Sequence, residues 1–277
     1  MGLPRRTAAD NSTALSLAVF EKAAALASAD QDWSGALTDL ETGLQRHSKN
    51  PEAPKTCVRA IRTALGARRT ADVERLVKEF MDKWREHEDT WRVEYLLAQS
   101  FSLDGRDHDA ILILERIDRA IARGVVRERD GIVAELLLAE AYSKIGDHGK
   151  AIEVLDRITA RHSRQHQDLL RQLPLCIGLV AQRKGDHEKA LHEFGIAAHV
   201  APTPRMRIHA LLGLVRSHLA VDSPIEAFGA HAIAMRLGVP DDLLVDATDL
   251  KARAFVAMGL DSRAISAWID ALESAGK

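Results

Sequence analysis

Apolar residues recur three or four positions apart along most of the chain, the spacing that places them on one face of an α-helix. Ala151, Leu155 and Ile158 follow this rule, and strand-like alternation is not evident anywhere in the chain. The pattern predicts an all-α protein. Residues 1–13 carry charge and no apolar period, so we expect a disordered arm there and a single helical-repeat domain over 14–277.

A short turn pattern recurs between these helical runs, most clearly as a glycine followed by an aspartate. It appears within residues 29–37, 103–111, 144–152, 183–191 and 258–265. A glycine at the end of one helix can adopt the positive φ that such a turn requires, and the following aspartate can cap the next helix. The spacing of these turns predicts a repeat of two helices per unit.

The best-preserved unit contains Leu138, Ala139 and Tyr142 on its first helix, Gly146 and Asp147 in its turn, and the apolar positions from Ala151 onward. This arrangement resembles the tetratricopeptide repeat (TPR) family. The resemblance implies six to seven units of 35–41 residues, with degenerate units near 53–86 and 206–237. It also implies a right-handed superhelical solenoid of antiparallel helix pairs. The standard unit has 34 residues, so these units carry longer helices or insertions, one of them expected over 123–131.

In the TPR family the first helices of the pairs line a concave groove that binds a peptide or a helical segment. The resemblance therefore implies a protein-interaction scaffold or adaptor, and it assigns a set of candidate groove side chains by their distance before the turn. Asn11 and Asn50 are the only asparagines, so the paired asparagines of the family's carboxylate clamps are missing. The candidate groove residues are Arg92, Tyr95, Gln99, Leu136, Glu140, Lys144, Leu175, Leu179, Gln182, Arg183, Asp249 and Arg253.

Composition narrows the function classes further. The formal net charge of −2 argues against a nucleic-acid partner, and no run of 18 apolar residues predicts a membrane span. No nucleophile or phosphate-loop motif is present, so we expect no enzyme activity and no cofactor. His162 and His166 are spaced as a metal pair, but no third ligand completes the set, and we expect no metal site. Without a recognisable signal segment, the chain is expected in the cytoplasm, of a bacterium.

Two alternative functions remain open at this level. The chain could be a self-assembling structural scaffold, since no polar solvating helix follows the last repeat and the C-terminal helix would then be exposed. It could also be a regulatory sensor that changes shape on binding a small peptide or metabolite. Cys57 and Cys176 lie in apolar helical segments, which predicts packed and reduced thiols.

Overall fold

The computed structural model of the chain describes residues 8–30, 32–161 and 171–275, and fourteen helices occupy these ranges. The first seven are α1 (Ala8–Ala29), α2 (Trp33–Arg46), α3 (Ala53–Gly66), α4 (Thr70–Trp84), α5 (Thr90–Leu103), α6 (Asp107–Ala122) and α7 (Glu128–Lys144). The others are α8 (His148–Arg161), α9 (Leu173–Lys184), α10 (His187–Val200), α11 (Pro204–Ala220), α12 (Pro224–Arg236), α13 (Asp241–Ala257) and α14 (Asp261–Ala275). The described residues contain no strand, which confirms the all-α prediction.

The helices form seven consecutive pairs, in which we call the odd-numbered helix A and the even-numbered helix B. Contacts divide the chain into two compact units, Met1–Ala134 and Glu135–Lys277, with the boundary inside α7. We refer to them as unit 1 and unit 2. Helix α1 begins at Ala8, inside the segment predicted as a disordered arm, and residues 1–7 lie outside the described residues. The assignment of one domain to 14–277 stays a prediction.

A residue with left-handed backbone conformation stands between helix A and helix B in six of the seven pairs. These residues, here called the turn residues, are Arg68, Gly105, Gly146, Gly185, Asp222 and Gly259, with φ between 54° and 86°. Their spacing confirms repeats longer than the TPR standard. Arg68 and Asp222 belong to the two degenerate units. Each turn therefore keeps its geometry where the sequence lacks glycine.

Aspartate side chains cap several B helices, as the turn pattern predicts. Asp32 Oδ1 accepts a hydrogen bond from the Gly35 backbone N–H at 2.8 Å. Asp147 and Asp186 accept from the backbone N–H groups three residues later, each at 3.2 Å. Each bond satisfies one of the N–H groups that a helix start leaves unpaired, which stabilises the helix by about 1 kcal/mol.

The core of unit 1 joins A and B helices of neighbouring pairs. Cys57 on α3, Leu76 and Val77 on α4 and Val93 on α5 belong to one buried cluster. Ion pairs connect like helices one pair apart: Arg59 on α3 to Glu21 on α1, and Arg75 on α4 to Glu41 on α2. These exposed pairs contribute tenths of a kcal/mol each, so apolar burial dominates the stacking.

The core of unit 2 contains one ring held between two glycines. Phe194 on α10 is fully buried, and a Cβ added to Gly178 on α9 or to Gly213 on α11 would lie 2.7 Å from ring atoms. Only glycine lets both A helices approach the ring this closely. Phe194 thus packs against the A helix of its own pair and the A helix of the next pair.

One prediction about loops was partly wrong. Residues 123–131 were expected to form an insertion, but α7 begins at Glu128, so only the first part of this segment is a loop. Glu128 and its neighbours favour a helix start, because acidic residues there complement the helix dipole. None of the helices in the described ranges has both the length and the apolar composition that a membrane span needs.

Replacing Asp222 with glycine should stabilise unit 2. Asp222 holds φ 56°, a conformation that costs an L-residue about 1–2 kcal/mol, while glycine adds about 0.5–1 kcal/mol of unfolded-state entropy. We expect a net gain of about 0.5 kcal/mol in the free energy of unfolding for Asp222→Gly, measured by urea denaturation. Asp104→Gly is the control, since Asp104 precedes a turn residue at φ −87° and should lose stability. Equal losses in both variants would contradict this account.

Replacing Gly213 with alanine should destabilise the protein although alanine favours helices. The new methyl group would lie 2.7 Å from the enclosed Phe194 ring, and overpacking of this kind costs about 1–3 kcal/mol. Gly195 on α10 is exposed, with no atom within 4 Å of an added Cβ, so Gly195→Ala should gain about 0.5–1 kcal/mol. Thermal unfolding of the two variants should therefore shift in opposite directions. Stabilisation by both would show that α11 does not approach the ring.

Candidate functional site

The predicted groove residues of unit 1 lie on helix α5. Arg92 forms an ion pair with the buried Asp89 and stacks over the Trp91 ring, with 5.3 Å between the guanidinium carbon and the ring centroid. Tyr95 packs against the unit 1 core, and Gln99 is half-buried. Tyr95 therefore supports the fold, while Arg92 lines a small polar pocket of about 340 Å³ at the start of α5.

In unit 2, the predicted residues of α7 and α9 divide between packing and surface roles. Leu136 is buried, and Lys144 Nζ lies 3.3 Å from Glu140 Oε1. Leu175 and Leu179 pack against the cluster that contains Phe194. These two leucines therefore belong to the core, which leaves little of either side chain for a ligand.

Gln182 joins two A helices directly. Its Nε2 donates to the Gly213 carbonyl oxygen at 3.0 Å and to Ser217 Oγ at 2.7 Å, both on α11. This amide therefore fixes the stacking of α11 on α9. Arg183 beside it is exposed and points to no partner that the structure records.

Asp249 and Arg253 form a small polar cluster on α13. Arg253 Nε lies 2.7 Å from Asp249 Oδ2, and Trp268 Nε1 on α14 donates to Asp249 Oδ1 at 3.1 Å. One carboxylate thus holds both the guanidinium and the indole in place. The indole remains 38% exposed, so its apolar face is available to a ligand.

These residues border an open pocket of about 570 Å³ in unit 2, which we call the A-helix pocket. Its walls come from positions six, three and two residues before the turn residue on both α11 and α13. Arg216 pairs with Asp246, as Arg253 pairs with Asp249, so the polar rim is close to neutral. The lining residues are Arg216, Leu219, Ala220, Leu250, Arg253, Val256, Ala257 and Trp268.

The arrangement is suited to binding rather than to bond making. Its apolar surface can cover an apolar side chain of a ligand, and its two ion pairs can orient polar groups beside it. Sequence reasoning missed Arg216, Leu219 and Ala220, because the degenerate turn at Asp222 was not used as a reference. Counting the same six, three and two residues back from Asp222 would have found them.

The described residues show few groups with perturbed acid–base behaviour. Burial raises the pKa of the Cys57 and Cys176 thiols to about 12, which makes both unreactive. No group of three or more metal-ligating side chains occurs in the described ranges, and His162 and His166 lie outside them. Glu135 is a buried carboxylate whose Oε1 lies 3.1 Å from Arg161 Nη1, an ion pair that joins α7 to α8.

Comparison with known proteins agrees on the fold. No protein-family model matches the chain, and no curated protein sequence does. A tetratricopeptide repeat protein from Parabacteroides merdae is similar in structure, with a TM-score of 0.67 at 12% identity over 94% of this chain and 93% of that one.

Two regulators of known structure have similar folds. A Rap protein complexed with competence and sporulation factor gives a TM-score of 0.64 at 16% identity, over 96% of this chain and 77% of that one. The apo form of the quorum sensor NprR from B. thuringiensis gives 0.63 at 11% identity, over 98% and 89%. At these identities the likeness establishes the fold alone: the chain has a TPR-like, all-α helical-repeat fold.

The buried His231 should make unit 2 sensitive to acid. It is 4% exposed on α12 and stacks on Phe228, with its Nε2 atom buried and without a hydrogen-bond partner. Burial and the charge of Lys251 lower its pKa, while a backbone hydrogen bond at Ala247 acts in the opposite direction. Because its unfolded-state pKa is about 6.5, the unfolded chain takes up more protons as the pH falls below that value.

We therefore expect the free energy of unfolding to decrease between pH 7.5 and pH 5, and to decrease less in His231→Leu. Urea denaturation across this range measures the difference. His192→Leu, at an exposed position on α10, is the matched control and should keep the wild-type slope. An unchanged slope in His231→Leu would show that protonation of this ring does not limit stability.

Proposed function

We propose that this protein is a protein-interaction scaffold that binds an extended or helical segment of a partner against the A helices of unit 2. The observation that carries the proposal is the A-helix pocket, whose walls repeat the same three positions on α11 and α13. Positions at which successive repeats present side chains to one cavity are suited to a ligand that runs across the helices.

The chemistry of the pocket favours a segment with one large apolar side chain. Leu219, Val256 and Trp268 offer apolar contact, and a buried apolar anchor contributes most of the affinity in such interfaces. Because Asp246 and Asp249 already balance the two arginines, a strongly charged partner gains little. The proposal includes no catalysis, cofactor or nucleic acid. It places the protein in a bacterial cytoplasm, which the two free cysteines support.

Regulatory sensing of a small molecule is the second candidate, because about 570 Å³ is also the size of a small-ligand pocket. The fold likeness to the quorum sensor NprR supports the same idea. Self-assembly, the structural alternative, would instead use surfaces outside the pocket. A thermal-shift screen against metabolites tests the sensor, since a tight ligand raises the melting temperature in proportion to its occupancy.

The direct test of the scaffold is selection of peptides from a random displayed library on the purified chain. Two exposed alanines at the pocket, Ala220 and Ala257, are replaced together by arginine to fill it without disturbing the core. We expect selected peptides to contain a large apolar residue and to bind the double variant at least about tenfold more weakly, a loss of about 1.4 kcal/mol.

The matched control replaces two exposed alanines at helix surfaces away from the pocket, Ala122→Arg and Ala160→Arg. This variant should bind the selected peptides as tightly as the wild-type protein. Binding that survives in the Ala220→Arg/Ala257→Arg protein, with its helical circular dichroism intact, would remove the pocket from the proposal.

A further inference from the structure

The last described helix pair exposes a surface that earlier pairs bury. The ninth residue after the turn residue is Val77, Leu114, Leu155, Phe194 or His231 in the preceding pairs, each at most 5% exposed. In the last pair this position is Trp268, which is 38% exposed. Ile265 and Leu272 on the same helix are 57% and 74% exposed. We call Arg253, Ile265, Trp268 and Leu272 the α14 end face.

The next A helix covers this position in the earlier pairs of unit 2. Gly213 on α11 crosses directly over Phe194, and the backbone of Ala247 on α13 lies against His231. Ala198, four residues after Phe194, packs against the α11–α13 cluster, and it corresponds to Leu272 in the last pair. The same contact type, continued by one pair, therefore places an α-helix over Trp268 and Leu272.

Charge specifies one more property of that helix. Arg216, six residues before its turn residue, forms an ion pair with Asp246 on the next A helix. Arg253 occupies the same position in the last pair, but its side chain is 65% exposed and pairs only within its own helix, with Asp249. A helix stacked on α13 in the same way would bring a carboxylate to Arg253.

We propose that the α14 end face binds an amphipathic α-helix of a partner protein, which stacks as a further A helix. The occupant carries a carboxylate that faces Arg253 and, four residues later, a glycine or alanine that crosses Trp268. This spacing follows from Asp246, thirteen residues before its turn residue, and Gly213, nine residues before its own. One helical turn separates two such positions, so both face the same way.

A peptide from the chain's own repeat tests this inference with a defined probe. The sequence of α11, residues 204–220, has glycine at the crossing position, and His209→Asp adds the carboxylate four residues before it. We expect the fluorescein-labelled peptide to bind the full chain with saturable anisotropy. Binding should weaken at least tenfold when Gly213 in the peptide is replaced by leucine.

Variants of the chain locate the peptide. Leu272→Asp should weaken binding at least tenfold, while Ile225→Asp on α12, at an equally exposed position (74%), should not. Arg253→Glu should also weaken it, and a peptide with lysine in place of the aspartate should restore binding to that variant. The Ala220→Arg/Ala257→Arg protein should bind the peptide normally, because the A-helix pocket is a separate site.

Three results would overturn the inference. These are no saturable binding up to millimolar peptide, binding unaffected by Leu272→Asp, or loss of binding in the pocket variant alone. Sedimentation of the chain without peptide addresses the other occupant. If the protein self-associates and Leu272→Asp makes it monomeric, a second copy covers the end face and the partner helix is excluded.

Discussion

Each unit depends on one recurring contact, in which a large side chain on helix B is covered by the A helix of the following pair. Phe194 shows it most clearly, since glycines on α9 and α11 allow both helices to approach the ring. Removing a buried phenylalanine typically costs about 3–5 kcal/mol, more than all the surface ion pairs of such a unit contribute together. The ion pairs and the Gln182 hydrogen bonds therefore set the register of stacking, while ring burial supplies its energy.

Two functional surfaces follow from this contact. Where A helices stack in register, the positions before each turn repeat along one side, and α11 and α13 together enclose the A-helix pocket. Where the described stacking ends, the same position carries an exposed tryptophan instead of a covered one. The proposed scaffold function and the proposed helix site thus share one cause, but they use different faces and can fail independently.

The sequence predicts the fold well because its signals are local. Glycine at a turn, aspartate after it and apolar residues at helical spacing each act within a few residues, so Gly146, Asp147 and Ala151 identify a helix pair without tertiary information. The degenerate turns were also located correctly, and the left-handed Arg68 and Asp222 show that packing imposes a conformation that these residues do not favour.

The candidate site was harder to predict because its properties depend on distant partners. Spacing placed Gln182 on the A-helix side, but its hydrogen bonds reach α11 residues more than thirty positions away. Leu175 and Leu179 were also assigned to the groove, yet they pack into the core beside Phe194. Spacing gives the side of the helix on which a residue lies, and only the packed structure shows what covers it.

The covered ring is tested most directly by a double-mutant cycle between Phe194 and Gly213. Phe194→Leu, Gly213→Ala and the double variant are compared by their free energies of unfolding. If α11 lies against the ring, the smaller leucine relieves the added methyl group, and the double variant should be more stable than the sum of the single losses predicts, by about 1 kcal/mol or more. Additive losses would mean that the two residues do not touch, and the stacking contact on which this account rests would be wrong.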